Sequence, residues 1–270
     1  MVLNIAHRGA RSIAPENTLP AAQKAFEIGA HMWETDVAVT KDQKLVIFHD
    51  DSLSRTTNVS TLFPDRDPWT ICDFTLKEIL QLDAGSVYID SDPFGEIAAG
   101  NVPDRDLQSY KAIQIPTLEE TLVFTIERNW PVNLELKALP TAICDFPVVD
   151  HVIDMLEKMS VAPELLILSS FNHEWIRHAR NRKPDYQYQA LVGIPVDQPL
   201  NWGPLDFSTY NANHNAITND EIRKKVNDGF QINLFNINDL DEMKQRIHCG
   251  VSGIITDYPQ RMKEMGYTRN

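Results

Sequence analysis

The sequence predicts an α/β protein of the (β/α)8 class, a TIM barrel with an insertion after the second strand. Three observations carry this. Short apolar runs of strand-like composition begin near Leu3, Trp33, Val132, Leu165, Gln187, Phe207, Gln231 and Gly253, and most are followed by a helix-forming stretch. Such alternation implies parallel pairing, and eight units imply a closed barrel. Several of these runs also end in charged residues: His7 and Arg8, then Glu34 and Asp36, then Glu135 and Lys137. In a barrel, strand C-termini converge on one mouth, where chemistry is done. The competing architecture, a doubly wound open sheet, lacks support because no GxGxxG opens the first turn.

The elements follow in order. Leu3 to His7 reads as the first strand, and Thr18 to Gly29 as a helix with Thr18 as N-cap and Gly29 as its stop. His31 to Val39 is the second strand. It is extended by a return strand that ends on His49, through a four-residue turn at Lys41–Lys44. Pairing Thr40 with Leu45 places Ala38 opposite Ile47 and Asp36 opposite His49, about 5 Å apart at Cβ. From 52 to 114 the rhythm breaks, with one helical stretch, TLKEILQL, among Pro, Asp, Gly and Ser. A segment of that length is usually functional, and it is read as an irregular insertion over one end of a single domain spanning 1–270. Regularity returns with PTLEETLVFTIER, where Thr117 and Glu120 form a capping box. Strand and helix then alternate to a last helix, PQRMKEMG.

Composition limits the partners. In 270 residues with 43% apolar content there is material for a full core, and the net charge of −13 disfavours nucleic acid. Cys72, Cys144 and Cys249 are odd in number and widely spaced, as expected of reduced thiols. No signal peptide and no apolar run of membrane-spanning length is visible, so the expectation is a cytoplasmic protein without stable membrane insertion.

Strand side chains alternate with period 2, so Glu34 and Asp36 share one face, as do Glu135 and Lys137. Three carboxylates pointing into a barrel need paired charges or a metal. They offer hard oxygen and no thiolate, which suits one divalent cation, Mg²⁺ or Ca²⁺. An ion-pair network with Arg8 and Lys137 is the competing reading. Arg8 and Lys137 suit an anion, and the anion that bridges side chains and a cation in such a site is a phosphate. His7 and His49 are the candidate acid–base pair, since histidine titrates near neutrality. His214, in YNANHN, and Phe235 are candidates to touch substrate. His151, His173 and His178 are expected to be solvated, and Glu16 and Asn17 to shape the first loop.

The segments IAHRGA, APENTL, ETDVAVTKD, FHDDSLSRTTN, DAGS, IPTLEE, NLELK, LSSF and GIITDYP, in this order, resemble the glycerophosphodiester phosphodiesterase family over nearly the whole chain. The resemblance implies a TIM barrel with an insertion after strand two. It also implies a divalent cation at Glu34, Asp36 and Glu135, acid–base roles for His7 and His49, and phosphate binding by Arg8 and Lys137. The activity it implies is hydrolysis of a glycerophosphodiester to glycerol 3-phosphate and an alcohol. The alternatives are a lysophospholipase-D-type reaction and a catalytically silent binding protein on the same barrel. A glycosidase is weaker, since two carboxylates would not call for Arg8, Lys137 and two histidines. Two stretches depart from the family pattern: 97–114 is long, and NLFNIN replaces an aromatic-Thr-Val-Asn run.

Overall fold

Eight parallel strands close into a barrel in a computed structural model that describes residues 1–269. In chain order the elements are β1 (Leu3–His7), α1 (Leu19–Ile28), β2 (Met32–Val39), β3 (Leu45–Ile47), α2 (Val59–Leu62), α3 (Leu76–Ile79), α4 (Ser86–Ser91), α5 (Asp104–Ser109) and α6 (Leu118–Arg128). They continue as β4 (Val132–Leu136), α7 (Val148–Lys158), β5 (Leu166–Ser170), α8 (His173–Arg182), β6 (Gln187–Val192) and β7 (Thr209–Asn213). The last are α9 (Asn219–Asn227), β8 (Gln231–Phe235), α10 (Leu240–His248), β9 (Gly253–Thr256) and α11 (Pro259–Glu264). Neighbours around the barrel run β1, β2, β4, β5, β6, β7, β8, β9, and β9 pairs with β1 to close it. No helix of the described residues is long and apolar enough to cross a membrane.

Local chemistry sets the helix ends where the sequence placed them. Thr18 accepts from the Ala21 amide, Pro20 stands in the first turn, and Gly29 closes α1 at φ 92°. The Thr117–Glu120 capping box opens α6, and Thr218 with Glu221 repeats it at α9. The outward strand faces and the helices share the main core, in which Trp33 and Trp130 stack with centroids 6.5 Å apart. Each fully buried side chain of this kind stabilises the fold by roughly 1.5–3 kcal/mol. Inside the barrel, Ile5, Met32, Ile167 and Ile255 form a separate apolar layer. Two residues further along the same faces stand His7, Glu34, Ser169 and Asp257, so the strand period carries each chain from apolar floor to polar mouth.

Two expectations are corrected. The β2–β3 register is one residue from the expected one: Val39 pairs with Leu45, Ala38 with Val46 and Val37 with Ile47. The turn therefore holds five residues, with Gln43 at φ 60° and the Thr40 amide donating to Lys44 O. The extra turn residue shifts every pair by one. Asp36 faces Phe48, whose amide donates to its carbonyl, and β3 ends two residues before His49. The segment 52–114 is also less irregular than expected. It carries α2 to α5 and two small cores, one under β3 around Phe48, Leu53, Phe74 and Ile79, the other joining Tyr88, Val102 and Tyr110 to Ala14 and Ala21. Helices of four to six residues are too short to print a periodic pattern.

Candidate active site

The mouth of the barrel holds a cavity of about 380 Å³ lined by His7, Arg8, Glu34, His49, Glu135, Lys137, His214 and Phe235, among others. Asp36 lies behind its wall at 1% exposure. Every site residue expected from the sequence thus comes to one place, including His49, which reaches the cavity despite the shifted register.

Glu34, Asp36 and Glu135 each bring a carboxylate oxygen within 4.8 Å of the others. Their charges are not equally shared. Asp36 has Arg8 Nε at 3.4 Å, Lys137 Nζ at 4.0 Å and an Asn17 Nδ2 hydrogen bond of 2.9 Å. Burial alone would raise its pKa, but these partners and His49 hold it below the ordinary value. Among the described residues no lysine or arginine side chain lies within 4.0 Å of the Glu34 or Glu135 carboxylate, and Glu34 accepts only the Arg8 amide at 3.1 Å. Burial and the neighbouring Asp36 charge push Glu34 well up, and push Glu135 to about 8. Two carboxylates left short of positive charge beside a third are a donor set that fits a hard divalent cation. The competing ion-pair network accounts for Asp36 and leaves the two glutamates unpaired.

Each cavity histidine is oriented by a carboxylate. His7 Nδ1 lies 2.6 Å from Asp257 Oδ1, and His49 Nδ1 bonds to Asp50 Oδ1. A proton held between Nδ1 and the carboxylate leaves Nε2 with the lone pair. Burial, then the Arg8 charge, lowers the His7 pKa to about 4 against the pull of Asp257, whose own carboxyl falls to about 2. The Asn236 amide packs on the same ring, 2.7 Å from Nδ1. Arg8 is fixed by Glu16 at 2.8 Å, and Glu16 also binds Arg11 and Arg55, which ties the first loop to the segment after β3. Burial opposes ionisation of Glu16, yet the hydrogen bond from Arg55 and the charges of Arg11 and Arg8 hold its carboxyl well below the usual range. Asn17 links Asp36 to Thr35, which points away from the barrel axis as expected. His214 is held by Glu242 at 2.8 Å, and Phe235 packs edge-on against Phe171. His173 departs from expectation: it is half-buried, with Nε2 3.0 Å from Leu191 O.

Sequence reasoning missed Asp257, Asn236, Asp50 and Arg11. Asp257 stood in plain sight as a charged residue just past the last strand, which is the signal used for the other strand ends.

The sequence pattern of the glycerophosphoryl diester phosphodiesterase family matches residues 7–261. The chain belongs to that family. A glycerophosphodiester phosphodiesterase of Caldanaerobacter subterraneus subsp. tengcongensis is 31% identical over 262 residues, covering 96% of each chain. One of Bacillus altitudinis is 28% identical, over 95% of this chain and 94% of its own. The structure of an Oleispira antarctica phosphodiesterase in complex with its product sn-glycerol-3-phosphate superposes with TM-score 0.76 at 28% identity, over 96% of this chain and 94% of that one. The chain is accordingly an enzyme, a phosphoric diester hydrolase of the glycerophosphodiester phosphodiesterase class.

Proposed function

We propose that this enzyme hydrolyses a glycerophosphodiester to glycerol 3-phosphate and an alcohol, with one divalent cation, Mg²⁺ or Ca²⁺, held by Glu34, Asp36 and Glu135. The observation that carries the reading is the joining, in one cavity, of three crowded carboxylates and two carboxylate-oriented histidines. When bound, the cation supplies positive charge against the phosphoryl oxygens. Arg8 and Lys137, both at the cavity wall, hold the phosphate. One histidine takes the proton from the glycerol hydroxyl beside the phosphate, and that oxygen attacks phosphorus. The other protonates the leaving alcohol, and a cyclic phosphate results. Water then opens the ring with the two roles exchanged, which restores both histidines. Intramolecular attack gains an effective molarity that free water lacks. Three unpaired cysteines suit a reducing compartment, and we place the enzyme in the cytoplasm.

A coupled assay for released glycerol 3-phosphate, across several head groups with and without chelator, tests the reading. No release from any of them overturns it, and undiminished release with metal content verified as nil removes the cation. An analogue lacking the adjacent hydroxyl should bind but not turn over. Hydrolysis at the parent rate would favour direct attack by water.

One observation favours a second substrate class. Phe171, Ile194 and Val196 stand 38%, 61% and 47% exposed in the loops after β5 and β6, an apolar lip suited to a lysophospholipid. Conversion of a lysophosphatidylcholine to choline and a lysophosphatidic acid, followed by mass spectrometry, would support it.

A further inference from the structure

A chain of alternating charges joins the two cavity histidines by a route outside the cavity. His49 Nδ1 bonds to Asp50 Oδ1, and Asp50 Oδ2 accepts from Arg55 Nε. The rest of the Arg55 fork goes to Glu16, with Nη1 3.0 Å from Oε2 and Nη2 2.6 Å from Oε1. Glu16 in turn holds Arg8 Nη1 at 2.8 Å and Arg11 Nη2 at 2.7 Å. Arg11 Nη1 lies 3.5 Å from Asp257 Oδ1, the carboxylate that orients His7. Asp50, Arg55, Glu16, Arg11 and Asp257 do not line the cavity, so they act on it through the residues that do.

An exposed ion pair contributes little unless its geometry is bidentate or it belongs to a network. Arg55 meets both conditions. Its side chain is 45% exposed, but the Glu16 carboxylate it grips is 10% exposed. A planar fork that gives Nε to one carboxylate and both Nη groups to another fixes the two carboxylates relative to each other. The single nitrogen of a lysine has no such reach. The backbone beside Arg55 is itself anchored in the segment after β3. Leu53 is fully buried, its amide donates to Trp69 O at 3.0 Å, and Thr57 Oγ1 donates to Leu53 O at 2.6 Å.

We propose that Arg55 is a positioning residue, which aligns His49 for proton transfer through Asp50 and Arg8 for the phosphate through Glu16. This rests on the hydrolase reading above and gives the segment after β3 a task in the reaction. The order of that segment places Arg55, and Arg55 sets two of the groups that meet the substrate.

In Arg55→Ala, kcat should fall by about 10²-fold, the effect of a small misplacement of a reacting group, and KM should rise severalfold through Arg8. Arg55 also borders a cleft of about 290 Å³ with Thr56, Val87 and Phe94, so the shortened side chain leaves room for a free guanidinium ion. Millimolar guanidinium, without effect on the unaltered enzyme, should restore kcat in a saturable way, and Arg55→Lys should stay impaired. In an Asp50→Asn background, Arg55→Ala should cost little further in kcat, because the route to His49 is already cut, while its effect on KM persists. The nuclear magnetic resonance signal of the His49 Nδ1–H, shifted downfield by the Asp50 hydrogen bond, reads the positioning without turnover. It should vanish in Arg55→Ala and return with guanidinium. That measurement stays informative if no diester is cleaved, a result that would overturn the hydrolase reading alone. Should Arg55→Ala fail to fold, Arg55→Lys carries the kcat and resonance measurements. Unchanged kcat and an unchanged resonance, or a loss that guanidinium does not restore, overturns the proposal and leaves Arg55 as a staple between loops.

Discussion

Glu34 sits buried and Glu135 half-buried beside an ionised Asp36, and their chemistry follows from that crowding. Glu34→Gln, Asp36→Asn and Glu135→Gln should each weaken divalent-cation binding; unchanged affinity in all three, by calorimetric titration, would show the ligands misassigned. The raised Glu135 pKa of about 8 also sets a pH dependence. Between the unfolded carboxyl pKa, near 4.3, and about 8, the folded metal-free state binds more protons than the unfolded one, so stability should fall as pH rises across that window. Urea unfolding with chelator at pH 5 and pH 8 measures the fall, which Glu135→Gln should flatten. Replacing His7 or His49 by Ala should cost roughly 10²–10⁴-fold in kcat with little change in KM, because proton transfer belongs to the transition state. Asp257→Asn should lower kcat in the same manner and alter its pH profile, whereas His151→Ala should be neutral. Steady-state kinetics separates these outcomes, and a fully active His49→Ala would defeat the assignment. His7, Glu34, Asp36 and Glu135 were legible because a charged residue on the inner face of a strand needs a reason, and Arg8 because it stands directly after β1, at φ 53°. Asp257 carried the same strand-end signal and was passed over, whereas Asn236 is uncharged and its partner is a histidine 229 positions away.

The long helices announced themselves through caps and amphipathic spacing, and the hairpin through its polar turn. Its register was misread because the pairing of Val39 with Leu45 depends on one turn residue, Gln43, adopting positive φ. The segment 52–114 hid its order in elements of four to six residues whose packing is set by distant contacts. Arg55 reaches Glu16, and the Tyr88 and Tyr110 hydroxyls donate to Ser12 O and Ile13 O. Gly85 is the tightest point of that packing, since a Cβ there would lie 1.7 Å from Tyr110 O. Gly85→Ala should therefore cost about 1–3 kcal/mol and loosen α4 and α5. Hydrogen exchange should show lost protection over 86–110 with the barrel strands unaffected, and full protection there would contradict the account.

Across the whole molecule the eight-unit alternation was enough to read the architecture, and the contents of the barrel interior were not. Whether an inward position is Ile167 in an apolar layer or Ser169 in a polar one depends on height along a tilted strand, which period 2 alone leaves open. Binding at the mouth should be felt throughout the barrel. A divalent cation at a hundred times its Kd should raise stability by about 2.7 kcal/mol, with the thermal midpoint rising and chelator reversing it. No shift in calorimetric scans would place the cation outside the native site. The adjacency of β1 and β9, with His7 on one and Asp257 just past the other, has a temporal consequence. During synthesis His7 leaves the ribosome 250 residues ahead of the carboxylate that orients it. No nascent chain short of Asp257 is able to close the barrel or position His7, so hydrolytic competence waits for β9.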